Sequence, residues 1–306
     1  MQTFVECQTK VIDLVQNNRY DQSLEVMEEA KTQFSEKRDR LGHWKANVYC
    51  LQGKTKEAIG ELQSAIDNGF WWNPEILTTD PELSLLKETE GFKRIIDQCE
   101  TLFHENLKEA ESLLKVDGNP NAEVSVMSLH WKGSNVKDFS LEWKDDRILN
   151  KYHIAFPQSS QLFSYGCFSW DDPKQTQRDV EEMTSQFLNQ HVRGQKPVIL
   201  SGASQGGGRA VELALEKGEF EYFIAVVPAF EDLAKLEKLA IDSKSNVRGC
   251  VITGDQDPFY ETALKAVSLL RKHSVPCKLI VKEGMGHTFP QDLPKVFEEA
   301  VRFVLE

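Results

Sequence analysis

Features that would mark several functional classes are missing from this chain. Its six cysteines, Cys7, Cys50, Cys99, Cys167, Cys250 and Cys277, include no C-x-x-C pair, which argues against a zinc ribbon or a dithiol redox motif. At 306 residues the chain can build a core without disulfide staples, so the thiols are expected to be reduced. H-E-x-x-H is absent and the scattered histidines and cysteines offer no ligand spacing; neither a metal nor an organic cofactor is expected. No apolar run approaches the roughly 18 residues of a membrane span. The opening Met-Gln-Thr-Phe-Val-Glu-Cys-Gln has no basic stretch ahead of an apolar one, unlike a secretory signal, and the expected compartment is the cytoplasm. Basic residues are also in short supply. With 36 Lys+Arg against 48 Asp+Glu, the net charge of -12 would repel a nucleic acid.

What is present is globular in balance, with 40% hydrophobic and 27% charged residues. The length suits one large domain or a domain with a smaller companion, and the periodicity selects the second. Up to about residue 115 the apolar positions recur at helical spacing: Val11, Leu14 and Val15 form one stripe, and Leu24, Met27 and Ala30 another. Residues 18–30 also align with residues 53–65 at an offset of 35, matching Leu24 to Ile59, Met27 to Leu62 and Ala30 to Ala65. This resembles tetratricopeptide repeats, whose period is about 34 residues. Asp80-Pro81-Glu82-Leu83 and Gly91-Phe92-Lys93 are similar to the segment that closes such arrays.

Turn formers collect at Val116-Asp117-Gly118-Asn119-Pro120-Asn121, the best boundary in the chain. The expected division is residues 1–116, helical, and 117–306, α/β. Past the boundary, apolar strands at Val124–Leu129, Tyr152–Phe156, Pro197–Leu200, Tyr222–Val227, Val251–Thr253 and Leu279–Val281 alternate with helical segments, among them Val180–Phe187. That pattern predicts a mostly parallel sheet covered on both faces.

Chemistry enters at Gly202-Ala203-Ser204-Gln205-Gly206, directly after one strand and before the helical run Ala210–Leu215. This is G-x-S-x-G in a strand-turn-helix context. A strained turn needs small neighbours at 202 and 206, and the helix that follows aims free N–H groups at developing negative charge. A serine hydroxyl needs a base, and the base an orienting carboxylate. Gly254-Asp255-Gln256-Asp257-Pro258 follows one later strand and Gly284-Met285-Gly286-His287 another. Parallel strands bring their C-terminal ends to one edge, so residues 53 and 83 positions beyond Ser204 can meet it.

This order, Ser then Asp then His, resembles the α/β-hydrolase superfamily. The Gly-Asp-x-Asp-Pro form looks most like carboxylesterases, acyl-protein thioesterases and dienelactone-hydrolase-like members. The resemblance implies an α/β-hydrolase fold preceded by an all-α TPR-like helical domain, a catalytic Ser204, His287 as base, and Asp257 rather than Asp255 as the acid. It also implies two oxyanion donors, one the N–H of Gln205 and the other from the loop after Phe156, where Gln158 and Ser159 are the candidates. The common His-Gly form is missing from that loop. Trp170 and Phe163-Ser164-Tyr165 are candidates for an acyl pocket. Between Val227 and Val251 there is room for one helix, so an inserted cap is expected to be small or absent; Phe70-Trp71-Trp72 of the helical half is the available roof, with packing inside or between domains as the competing reading of these aromatics.

The expected activity is cleavage of a small-molecule ester or thioester. A peptidase on the same fold, and a helical-repeat interaction module joined to an inactive hydrolase domain, are the competing readings. The helical half, which carries 14 basic and 22 acidic residues up to position 117, is where a protein partner or self-association is expected.

Overall fold

The computed structural model describes residues 4–192, 196–217, 220–243 and 246–306; the first three residues of the N-terminal stretch read above lie outside these. The chain forms two compact units, residues 1–109 and 110–306.

The first unit is helical: α1 (Phe4–Gln16), α2 (Tyr20–Gln33), α3 (Arg38–Leu51), α4 (Thr55–Asp67), α5 (Pro74–Thr79) and α6 (Glu90–Leu107). The internal repeat reappears as geometry. Asn18 and Gly53, at matched positions, both take left-handed backbone with φ +56° and +72°, and α2 and α4 start two residues later. Met27 and Leu62 are both wholly buried, as are Ser23 and Ala58. Small residues let helices approach: a Cβ added to Gly42 of α3 would touch that of Ala65 on α4. Lys45 is held by Glu28 at 2.6 Å and Glu61 at 2.9 Å. Burial works against its charge, and the two carboxylates outweigh it, raising its pKa. The Phe70-Trp71-Trp72 cluster is used inside this unit. Trp72 Nε1 donates to Asp39 O at 3.1 Å, and Trp71 packs edge-on to Phe103.

The second unit holds a seven-stranded sheet in the order β1-β3-β2-β6-β7-β8-β9. Its strands are β1 (Leu113–Gly118), β2 (Ser125–Leu129), β3 (His153–Gln158), β6 (Val198–Ala203), β7 (Tyr222–Val226), β8 (Arg248–Gly254) and β9 (Cys277–Lys282), while β4 (Gln161–Ser164) and β5 (Cys167–Ser169) form a separate hairpin. All neighbouring pairs are parallel except β1 with β3. The segment expected to separate the halves at residue 116 thus lies within an edge strand, which ties it to the second unit. Side chains alternate between two cores. Met127, Leu200, Phe223, Ala225 and Val251 face one, and Val126, Ile199, Ile224, Val226 and Ile252 the other, as a sheet covered on both faces requires.

Short helices α7 (Val136–Phe139) and α8 (Asp146–Leu149) precede β3, and α9 (Pro173–His191), α10 (Gln205–Lys217), α11 (Leu233–Asp242), α12 (Tyr260–Lys272) and α13 (Leu293–Leu305) complete the layers. The first core takes in α9 to α12, and the second takes in α7, α8 and α13. In α13, Leu293, Val296, Phe297, Ala300, Val301 and Val304 form one buried stripe, the i, i+3, i+4 spacing of a helix with a single apolar face. Helix starts carry their own signals: Asp172 accepts the N–H groups of Lys174 and Gln175 just ahead of Pro173, and Asp232 does the same for α11. Between β7 and β8 the described residues hold α11 alone, in keeping with a small or absent cap.

Candidate active site

Ser204 sits between β6 and α10 with φ +53°, a left-handed conformation that costs a non-glycine residue energy and holds only where its surroundings enforce it. They do so through three bonds: Ser204 N–H donates to Val226 O, and Ser204 O accepts from Gly208 and Ala229, all at 3.0 Å. The flanking glycines are needed for space. A Cβ at 202 would collide with the carbonyl of Gly206, and one at 206 with those of Leu129 and His130. Val227, at the end of the adjacent strand, also has positive φ, +40°, a rare state for a β-branched residue. Its N–H is tied to Ile252 O at 2.7 Å.

The C-terminal edge of the sheet brings the other expected residues to this turn. His287 Nε2 lies 2.8 Å from Ser204 Oγ, and His287 Nδ1 lies 3.1 and 3.2 Å from the two carboxylate oxygens of Asp257. Asp257 is buried and also accepts the Phe259 N–H at 2.8 Å. Asp255 faces elsewhere, accepting the Gly284 N–H at 2.8 Å. The His287 ring is about one-third exposed, with the Phe259 ring 5.2 Å away.

The sheet order sets beside the serine turn a loop other than the one expected to supply the second oxyanion donor. In the sheet β3 is separated from β6 by β2, so the loop beside the serine turn follows β2 and begins at His130. Gln158 and Ser159 are occupied there and elsewhere: Gln158 Oε1 accepts the Val136 N–H, and Ser159 donates its N–H to His130 Nε2 and its hydroxyl to Asp179. Trp170 is no pocket wall. It is fully buried, lies tilted at 34° against the His130 ring with centroids 4.8 Å apart and donates from Nε1 to His130 O at 2.8 Å.

His130 received no role in the sequence reading, yet it organises this loop. It is fully buried, and burial pushes its pKa down to about 4. The neutral ring accepts at Nε2 from Ser159 N–H, so Nδ1–H donates to Trp131 O at 2.8 Å. Sequence reading also missed the polar groups around Gln205. The Gln205 side chain accepts from Trp170 N–H at 2.8 Å and donates to Asp171 at 2.7 Å. One turn further, buried Arg209 donates to Trp170 O, Glu212 and Glu231. No periodicity or motif marks such residues, because each is defined by partners from other elements. Among the described residues no group of histidines, cysteines and carboxylates is arranged to hold a metal ion, and no helix is long and apolar enough to cross a membrane.

The profile of the family described as "A/B hydrolase-like, N-terminal domain" matches residues 3–106. No curated protein matches the sequence. Among solved structures, an uncharacterized protein from Bacillus cereus is similar over 99% of this chain and 98% of its own, with 23% identity and a TM-score of 0.54. Esterase PE8 is covered to 98% by 63% of this chain, at 19% identity and a TM-score of 0.53. Acyl-protein thioesterase 2 of Zea mays is covered to 100% by 64% of this chain, at 14% identity and a TM-score of 0.51. The chain has the α/β-hydrolase fold, with its helical N-terminal region matching the A/B hydrolase-like N-terminal domain.

Proposed function

We propose that this protein is a serine hydrolase of carboxylic esters or thioesters, with Ser204 as nucleophile, His287 as general base and Asp257 as the acid that orients it. The observation that carries this reading is the continuous hydrogen-bond line from Ser204 Oγ through both ring nitrogens of His287 to Asp257, built on a strained serine turn. The similar esterase and thioesterase structures support the ester or thioester bond as substrate.

In the first half-reaction Ser204 Oγ attacks the carbonyl carbon while its proton passes to His287 Nε2. Asp257 holds Nδ1–H and favours the imidazolium that forms. The oxyanion is received by the Gln205 N–H, at the first turn of α10, and by a backbone N–H of Trp131 or Lys132, which have no acceptor among the described residues. Collapse breaks the bond to the leaving alcohol or thiol, which takes the proton from His287. Water then attacks the acyl-enzyme with His287 again as base, releasing the acid and restoring Ser204.

A fluorophosphonate probe and short-chain p-nitrophenyl esters test this against Ser204→Ala. Wild type is expected to be labelled and to turn over, and the variant to do neither. Equal labelling of both would overturn the assignment of Ser204, and inertness of both would favour an interaction module on an inactive fold. Turnover of peptide amides in preference to esters would point to a peptidase.

A further inference from the structure

Between the two loops that carry the proposed oxyanion donors lies a third segment, Ser169-Trp170-Asp171, which starts at the last residue of β5. It bonds to both. Toward the loop after β2, Trp170 Nε1 donates to His130 O at 2.8 Å and Asp171 accepts from Lys132 Nζ at 2.8 and 3.0 Å. Toward the serine turn, Trp170 N–H donates to Gln205 Oε1 at 2.8 Å and Asp171 accepts from Gln205 Nε2 at 2.7 Å. Ser169 Oγ adds a third donor to Asp171 at 2.8 Å. We propose that Asp171 is a positioning residue that fixes the spacing of the two oxyanion donors by holding Lys132 and Gln205 on one carboxylate. This rests on the hydrolase reading above.

Two further features favour a positioning role over a stabilising one. Lys132 and Asp171 are nearly half exposed, and exposed ion pairs contribute little to folding. Yet Asp171 accepts four bonds and joins two separate parts of the chain to its own segment, far more than a surface carboxylate needs. Although burial works against its charge, donation from Lys132, Gln205 and Ser169 holds its pKa below the usual value. Lys132 is also kept in place by the Phe163 ring, 4.9 Å from Nζ. An oxyanion hole works only if its donors are set before charge develops, and two donors on separate loops need such a tie.

The test compares Asp171→Asn, Lys132→Met, the double variant and Lys132→Arg. Each is measured for kcat and KM on p-nitrophenyl butyrate, for inhibition by a trifluoromethyl ketone, whose adduct mimics the oxyanion, and for Tm. The expected result is a kcat lower by roughly tenfold or more in both single variants, with KM little changed and ketone affinity falling in parallel. The double variant should be no worse than either single one, Lys132→Arg should recover most of the kcat lost in Lys132→Met, and Tm should stay close to wild type throughout. Amide NMR of Asp171→Asn should show the Lys132 and Gln205 resonances moving together. Wild-type kcat in Asp171→Asn, losses that multiply in the double variant, or amide shifts on one side only would overturn the proposal. Were Ser204→Ala fully active, the hydrolase reading would fail instead, and the paired amide shifts would still decide whether Asp171 couples the two loops.

Discussion

Asp255 and Asp257 stand two positions apart and serve different partners: Asp255 accepts the Gly284 N–H at 2.8 Å, while Asp257 meets His287 Nδ1 at 3.1 Å. The first carboxylate ties the turn after β8 to the turn after β9, and the second reaches the imidazole. Asp257→Asn is therefore expected to lower kcat by about 10⁴-fold, since an amide in place of the carboxylate presents His287 with the wrong tautomer. Asp255→Asn, which keeps an oxygen for Gly284, should cost under about tenfold. Steady-state kinetics on one ester substrate compares the two, and a larger loss at 255 would reverse the assignment.

A methyl group at 206 has nowhere to go, because the carbonyls of Leu129 and His130 occupy its place. Gly206→Ala should push the His130 loop away from the serine turn, lowering both Tm and kcat/KM. The same change at Gly284, where a Cβ would meet open space but φ is +69°, should cost only about 1 kcal/mol of backbone strain. Thermal melts of the two variants check the contrast.

Acid sensitivity should trace in part to His130. Its folded pKa of about 4 lies below the roughly 6.5 of an unfolded histidine, so between these values the unfolded chain binds the extra proton. The neutral ring's contribution is complete above about pH 6.5 and is lost progressively as pH falls toward 4, on the order of 3 kcal/mol in all. Urea melts across this window should show a steep decline in wild type and a flatter one in His130→Asn. Parallel curves would mean that another group titrates.

Arg209 is buried with Glu212 at 2.8 Å, while Lys235 and Glu231 complete the set from outside. Arg209→Met takes away the buried partner of Glu212 and leaves only partly exposed Lys235 to balance it, so it should destabilise by up to about 3 kcal/mol. Replacing exposed Lys272, which pairs with Glu237, should cost under about 1 kcal/mol.

All six cysteines are buried thiols. Burial raises the pKa of Cys50 and Cys99 to about 11 and that of Cys277 to about 12, so none of these three is a ready thiolate. Ellman's reagent should react slowly with native protein and quickly with six thiols after denaturation. One fast native thiol would contradict this.

Local signals account for what was legible beforehand. The serine turn was visible because G-x-S-x-G is a steric requirement written in adjacent residues, and the buried stripe of α13 because helical spacing repeats in the chain. Asp257 and His287 were legible at one remove, since parallel strands deliver their ends to one edge whatever their order. The loop that borders the serine turn was not legible, for the opposite reason. Which strand lies beside β6 depends on the crossover that sets β2 between β3 and β6, and both strands look alike as apolar runs. The role of β1 was hidden too, because an edge strand of mixed burial such as Leu113–Gly118 lacks a continuous apolar pattern.

The amino-acid sequence by itself therefore determined the helical and α/β halves, the strained serine and the chain order of its partners, all carried by periodicity or by contiguous residues. Only the tertiary structure decided which of two aspartates meets His287, that the loop after β2 borders the serine, and that Asp171 and His130 lock that loop in place. Those choices rest on distances between segments far apart in the chain, which packing sets and no local pattern records.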